Sequence, residues 1–126
     1  MGGLKTITAM TIDEAFSMLN GFMGSTNLYG YSVNCCSHRY KLFAKNRVCV
    51  SCGKEGTIMK LQYTSGSKFK SAHFNLYDDE GMLFTKDHIQ PKSHGGINRQ
   101  SNYQTMCLAC NSAMGSLTQA EWDSSL

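Results

Sequence analysis

Proline occurs once in the 126 residues, tryptophan once, and acidic side chains only nine times. No apolar run comes near the roughly 18 residues that a membrane-spanning helix needs, so such a helix is excluded and no membrane partner is expected. The first residues also lack the charged, apolar and small-residue order of a secretory leader, and a reducing cytoplasmic setting is expected. No internal repeat or low-complexity tract divides the chain, and its length fits one domain. With 41% apolar and 17% charged residues, the core is modest for that length and calls for a further staple. Six cysteines can supply one.

Net charge is only +3, but it is unevenly spread. From Arg39 to Lys70 there are eight basic side chains against one acid, Glu55, enough to hold a polyanion. Lys41, Lys45, Lys68 and Lys70 are the candidate phosphate contacts of that segment. Solvated strand and loop faces, neutralised elsewhere in the fold, are the alternative.

The cysteines fall into pairs: Cys35 with Cys36, Cys49 with Cys52, and Cys107 with Cys110. The last two pairs have the form CxxC, which places two sulfurs on one tight turn. In a reducing compartment two such knuckles point to a metal before a disulfide, and four thiolates make a closed tetrahedral site for one structural Zn²⁺. Adjacent Cys35 and Cys36 cannot easily present both sulfurs to one ion. A second site would have to recruit His38 and His73, so these cysteines are read as ordinary thiols.

Thr11-Ile12-Asp13-Glu14 has the spacing of a capping box, and Ile12, Ala15, Phe16, Leu19 and Phe22 or Met23 recur at helical intervals, which predicts a helix over 11–23. Residues 24–34 are polar and glycine-bearing and read as a connection. Antiparallel strands are predicted over 57–64, 68–77 and 82–86, a short helix over 108–114, and a final capped turn from Thr118 and Glu121 carrying Trp122. The domain plan is an N-terminal helix and connection over 1–34, a zinc-stapled core over 35–115 and a short helical tail over 116–126, all one globular unit.

Between the knuckles runs Lys86-Asp87-His88-Ile89-Gln90-Pro91-Lys92-Ser93-His94-Gly95-Gly96, followed by Asn98, Asn102 and Cys107-Leu108-Ala109-Cys110-Asn111. A strand ending in Asp-His, a tight loop, a second short strand and a helix form a ββα unit. Here the sequence resembles the zinc-containing branch of the HNH endonuclease family, whose elements read CVSC, DHIQPKSHGG, SNYQ and CLACN in this chain. The resemblance covers about Cys49 to Gly115. It implies a small zinc-stapled ββα-metal (His-Me finger) core, which together with the antiparallel β-hairpin insertion and the N-terminal helix read from the pattern above makes an α+β fold. By resemblance His88 is the first signature histidine, Asn102 the signature asparagine and Asn111 the third signature residue. Asparagine at that third place is similar to phage recombination endonuclease VII, which points to a bacterial or phage-infected cell. Met114 stands where many relatives have lysine.

The chemistry of phosphodiester hydrolysis suits those positions. Asp87 and Asn111 offer hard oxygen ligands for a catalytic Mg²⁺ or Mn²⁺ distinct from the zinc. Histidine, with an ordinary pKa of about 6.5, can take a proton from water near neutrality, and His88 is assigned as the general base. A neutral amide has no proton to transfer, so Asn102 is assigned to tying the loop and orienting His88. Lys92 and Arg99 flank the loop and are either phosphate contacts or solvated charge. His94 is either a donor to phosphate or merely exposed, and His73 reads as a packed strand residue.

The function expected is a divalent-metal-dependent endonuclease acting on DNA phosphodiesters, with RNA left open. One active site per chain would cut two strands as a homodimer or in two visits. The competing reading is a catalytically inactive zinc-stapled module that binds nucleic acid or inhibits a protein. A third notes that Met1-Gly2-Gly3-Leu4-Lys5-Thr6 fits the short N-myristoylation pattern, which is common by chance.

Overall fold

The computed structural model describes residues 3–115 together with Glu121 and Ser124. The elements run β1 (Leu4–Thr11), α1 (Ile12–Met18), β2 (Ser25–Leu28), β3 (Tyr31–Asn34), α2 (His38–Lys45), β4 (Ile58–Thr64), β5 (Ser71–Tyr77), β6 (Phe84–His88), β7 (Tyr103–Cys107) and α3 (Leu108–Met114). Short 3-10 turns at Lys92–His94 and Gln100–Asn102 lie between β6 and β7. This is a mixed α+β domain. The predicted capped turn around Trp122 and the myristoylation pattern at Met1-Gly2 lie outside the described residues.

Thr11 both ends β1 and caps α1. Its hydroxyl accepts from the Glu14 N–H at 3.2 Å, and the Glu14 carboxylate accepts from the Thr11 N–H at 3.0 Å, the reciprocal bonds of a capping box. The helix stops at Met18 and does not reach 23. Leu19 is extended, and Gly21 and Phe22 both have positive φ, so the chain turns back there. Phe22 still meets Phe16 edge-on at 5.8 Å between ring centroids, so the apolar spacing reflects a helix plus a turn.

Residues 24–34, expected as a connection, form the hairpin β2–β3. Leu28 pairs with Tyr31 across a two-residue turn in which Tyr29 (φ 54°) and Gly30 (φ 84°) are both left-handed, the geometry that matches the twist of paired strands. β4 and β5 pair antiparallel as expected, with Lys68-Phe69-Lys70 outside in their turn. They do not stand alone as an inserted hairpin. β1 pairs antiparallel with β4, and β3 runs parallel to β5, giving the strand order β1-β4-β5-β3-β2. The predicted strand over 82–86 becomes β6, which pairs antiparallel with β7 in a separate two-stranded sheet.

One core joins these parts. Met59, Leu61, Ala72, Phe74 and Leu76 from the large sheet meet Tyr40, Leu42 and Phe43 of α2 and Phe84 and Met106 of β6–β7. Each large apolar side chain buried there contributes about 1.5 to 3 kcal/mol. The one polar atom that α2 carries into this core is answered: the buried Tyr40 hydroxyl accepts from the Phe74 N–H at 2.8 Å. A Tyr77–Leu83 bridge ties β5 to the start of β6, and the Leu108 N–H donates to Leu83 O at 2.8 Å, docking α3.

Candidate functional site

The first cysteine knuckle is a turn closed by backbone bonds, Cys49 N–H to Lys54 O at 2.8 Å and Gly53 N–H to Cys49 O at 3.0 Å, with Gly53 at φ 79° where an L side chain is strained. The Val50 N–H donates to Thr105 O at 3.0 Å and so fastens this turn to β7. The second knuckle begins where β7 ends, since Cys107 precedes α3 and Cys110 lies in its first turn. As a result the sulfurs of Cys49, Cys52, Cys107 and Cys110 all lie within 4.8 Å of one another.

The separation of Cys52 and Cys107 Sγ is 3.8 Å. A disulfide is about 2.05 Å, whereas the edge of a tetrahedron with bonds of about 2.3 Å to zinc is close to the observed value. Burial opposes ionisation of Cys49, but N–H groups of Cys107, Cys52 and Ser51 outweigh it and bring the thiol down to about 7. Burial first, then neighbouring sulfurs and the Cys49 charge, push Cys107 and Cys110 up. The Cys49 thiolate forms readily, while Cys107 and Cys110 resist ionisation without a compensating cation. The four cysteines can hold one zinc ion. Cys35 and Cys36 stay apart from it: Cys35 is buried against Val33 O, and Cys36 Sγ accepts from the Gly24 N–H at 3.0 Å.

The β6–β7 register opposes Asp87 to Gln104 and His88 to Tyr103. Asn102 closes the intervening loop on itself. Its side-chain oxygen accepts from the Gln90 N–H at 2.9 Å, and its amide donates to Ile97 O at 2.8 Å and Gln90 O at 3.2 Å. Gly96 lies so near the Gln90 carbonyl that a Cβ would overlap it, which makes glycine a packing requirement there. His88 Nε2 is 2.8 Å from Asn98 Oδ1, and its ring meets Tyr103 edge-on at 5.2 Å.

Asp87 is held by Gln104, yet its Oδ2 is buried with no partner among the described residues. Burial pushes this carboxyl up, against the pull of the His88 N–H, the Gln104 side chain and the His88 charge. Two residues earlier on the same face of β6, Thr85 Oγ1 accepts from the Asn111 amide at 3.0 Å and donates to Met106 O at 3.0 Å. The Asn111 nitrogen is thereby used, and its carbonyl oxygen is the ligand atom left over. An orphaned carboxylate oxygen and an amide oxygen on one covered strand face suit a hard cation.

The basic candidates fall on three elements. Lys41 and Lys45 lie on α2, Lys68 and Lys70 in the β4–β5 turn with Lys70 Nζ 5.7 Å from the Tyr31 ring centroid, and Lys92 and Arg99 on the exposed loop. His94 is 3.9 Å from Glu121, and both side chains are exposed, so the pair contributes little. His73 is half-buried on β5.

Motif and spacing alone assign no role to Asn98, Gln104, Thr85 or Tyr103. The strand register is the signal that places Gln104 and Tyr103 opposite the Asp-His pair. Tyr103 also meets His38, whose Nδ1 is 3.3 Å from its hydroxyl, and Lys86, whose Nζ lies 4.2 Å above its ring. Burial, then the charges of Arg39 and Lys92, hold Lys86 below the ordinary lysine range.

A family model described as HNH endonuclease matches residues 49–117, which takes in both knuckles and the whole β6–loop–β7–α3 unit. No curated protein and no solved structure matches the chain.

Proposed function

Because the chain belongs to the HNH endonuclease family, whose members act as nucleases on nucleic acids, we propose that it is a divalent-metal-dependent endonuclease hydrolysing DNA phosphodiester bonds. On this reading β6, β7 and α3 are a ββα-metal core stapled by zinc. The observation that carries it is Asp87 Oδ2, a buried carboxylate oxygen without a partner among the described residues, one residue from His88 and on the strand face that Asn111 covers. A protein that keeps a half-satisfied buried carboxylate at such a place sacrifices stability for something that arrives later.

Asp87 and Asn111 would hold Mg²⁺ or Mn²⁺, and that cation, when bound, neutralises charge on the scissile phosphate and the leaving oxygen. His88 takes the proton of the attacking water. Asn98 fixes one ring nitrogen, so the imidazole is oriented and the other nitrogen is available to the water. Asn102 acts at one remove: by binding both ends of the loop at Gln90 and Ile97 it sets the loop that carries Asn98. Lys92 and Arg99 contribute phosphate contacts without reading bases, as do Lys41, Lys45, Lys68 and Lys70 where the strand reaches them. Cutting both strands takes a homodimer or two encounters.

The reading is tested by incubating the zinc-loaded protein with labelled linear, nicked, branched and single-stranded DNA, and RNA, in Mg²⁺ or Mn²⁺. Cation-dependent cleavage of a DNA substrate is the expected result. A folded, zinc-saturated protein that binds these substrates and cuts none is the inactive module instead.

A further inference from the structure

Beside the β6–β7 unit, the large sheet carries a line of buried amides that ends in a cation. Gln62 and Asn75 are only 4% and 5% exposed. Gln62 Nε2 donates to Thr6 Oγ1 at 3.0 Å, while its Oε1 accepts from Asn75 Nδ2 at 2.6 Å and the Tyr77 hydroxyl at 3.0 Å. Asn75 Oδ1 in turn accepts from Arg39 Nη1 at 2.8 Å. Two buried amides stabilise less than apolar residues of the same size, but when fully bonded they fix one orientation. What they fix here is a guanidinium.

That guanidinium has no carboxylate partner among the described residues. Among the described residues the only ion pair is His94 with Glu121, so Arg39 offers its remaining N–H donors to whatever enters. It lines a cavity of about 260 Å³ with Asn34, Ser37, Tyr40, Ala72 and His73, a wall with several polar donors and no carboxylate. The helix that carries Arg39 also reaches the candidate active site. His38, the neighbour of Arg39 on α2, is 3.3 Å from the Tyr103 hydroxyl, and Tyr103 is the cross-strand partner of His88 and lies under the Lys86 ammonium. Tyr103 is therefore common ground between His88 and the helix that carries Arg39.

We propose that this cavity binds a backbone phosphate of the nucleic-acid strand that lies across Tyr103 to reach His88, with Arg39 gripping the two unbridged oxygens and His73 and Ser37 as further donors. A planar fork held by a buried amide suits bidentate recognition of phosphate. Burial, then the Arg39 charge, keeps His73 below the ordinary histidine range, so it enters as a neutral donor. The contact positions the strand at a phosphate other than the scissile one and reads no base. It rests on the nuclease reading above and adds where the substrate runs.

The test is fluorescence anisotropy of labelled duplex and single-stranded oligonucleotides with the full zinc-loaded chain, without Mg²⁺ or Mn²⁺, over a salt series. Arg39→Gln should weaken binding by about tenfold and lower the salt slope by roughly one. Arg39→Lys should restore the slope without restoring the affinity. His73→Ala should weaken binding a few-fold at unchanged slope, and it probes the same cavity should Arg39→Gln fail to fold, as judged by melting and zinc content. Wild-type affinity and slope in a folded Arg39→Gln protein, or in His73→Ala where Arg39→Gln does not fold, overturns the proposal. A wild-type protein that binds no nucleic acid overturns the nuclease reading itself. Inorganic phosphate that saturates the Arg39 and His73 resonances more tightly than the oligonucleotide does would make this a free-phosphate site and overturn the strand assignment.

Discussion

Replacing Asp87 by asparagine should stabilise the metal-free protein while abolishing its activity. The buried charge is the reason: the amide leaves the Oδ2 position unbonded just as the acid does, but takes no charge out of water. An unsatisfied buried polar group costs about 1 to 3 kcal/mol and a charged one more, so with the side chain only partly buried and held by Gln104 the charge adds about 1 kcal/mol. For a domain of this size that is a rise of about 3 to 6 °C in melting temperature. The pH sense follows from burial raising the folded carboxyl above 3.8. A protonated Asp87 carries no penalty, so the cost is absent in acid and grows as pH rises through the raised value. The advantage of Asp87→Asn should accordingly be larger at neutral pH than at the most acidic pH that retains zinc. Added Mn²⁺ should reverse the order: a cation at 100 times its dissociation constant stabilises wild type by about 2.7 kcal/mol and should leave the variant unmoved. Melting curves of both proteins with saturated zinc, with and without Mn²⁺, measure all of this. A wild-type melt indifferent to Mn²⁺, or an Asp87→Asn protein less stable without it, would refute the reasoning.

The other perturbations separate staple, loop and surface. Cys107→Ser removes one of the four clustered thiols, itself 1% exposed, and should lose zinc and more than about 3 kcal/mol of stability, read by metal analysis and melting. Asn102→Ala removes three bonds from the loop and should lower cleavage by about 10- to 100-fold, with zinc retained and the melt shifted by only a few degrees, since the loop is a local structure. Changing Lys41, Lys45, Lys68 and Lys70 to glutamine should flatten the salt dependence of DNA binding by about 0.9 for every phosphate the lysines neutralise, and an unchanged slope would put α2 and the β4–β5 turn off the strand's path.

The knuckles and the β6–loop–β7–α3 unit are legible in the sequence because their information is local. CxxC spacing, a lone proline, paired glycines and the 108–114 helix are each set by neighbours in the chain. The company of β4 and β5 is not, because strand pairing is made by distant segments. β1 lies mostly exposed and lacks the alternation that marks a half-buried strand, and the β2–β3 turn uses Tyr29-Gly30 in place of the Asn-Gly that announces such hairpins. α2 does leave a signal, a Ser37 cap ahead of Tyr40 and Phe43 on one face, but it lies inside the basic segment, where charge dominates the pattern. The helix predicted over 11–23 is too long because Phe22 packs through a turn. At the site, Asp87, His88, Asn102 and Asn111 carry motif signals, whereas the Arg39–Asn75–Gln62 line exists only in the β4–β5 register and in the way α2 lies against it.

Single-turnover cleavage of labelled DNA by wild type and His88→Ala, each with Mg²⁺, with Mn²⁺ and with chelator, puts the mechanism to its hardest trial. Wild type should cut only with the added cation. His88→Ala should fall by at least about 100-fold while keeping its zinc, its melting temperature and its Mn²⁺ binding by electron paramagnetic resonance. Cleavage by His88→Ala at the wild-type rate, or wild-type cleavage that continues when the added cation is removed and zinc remains bound, would contradict it.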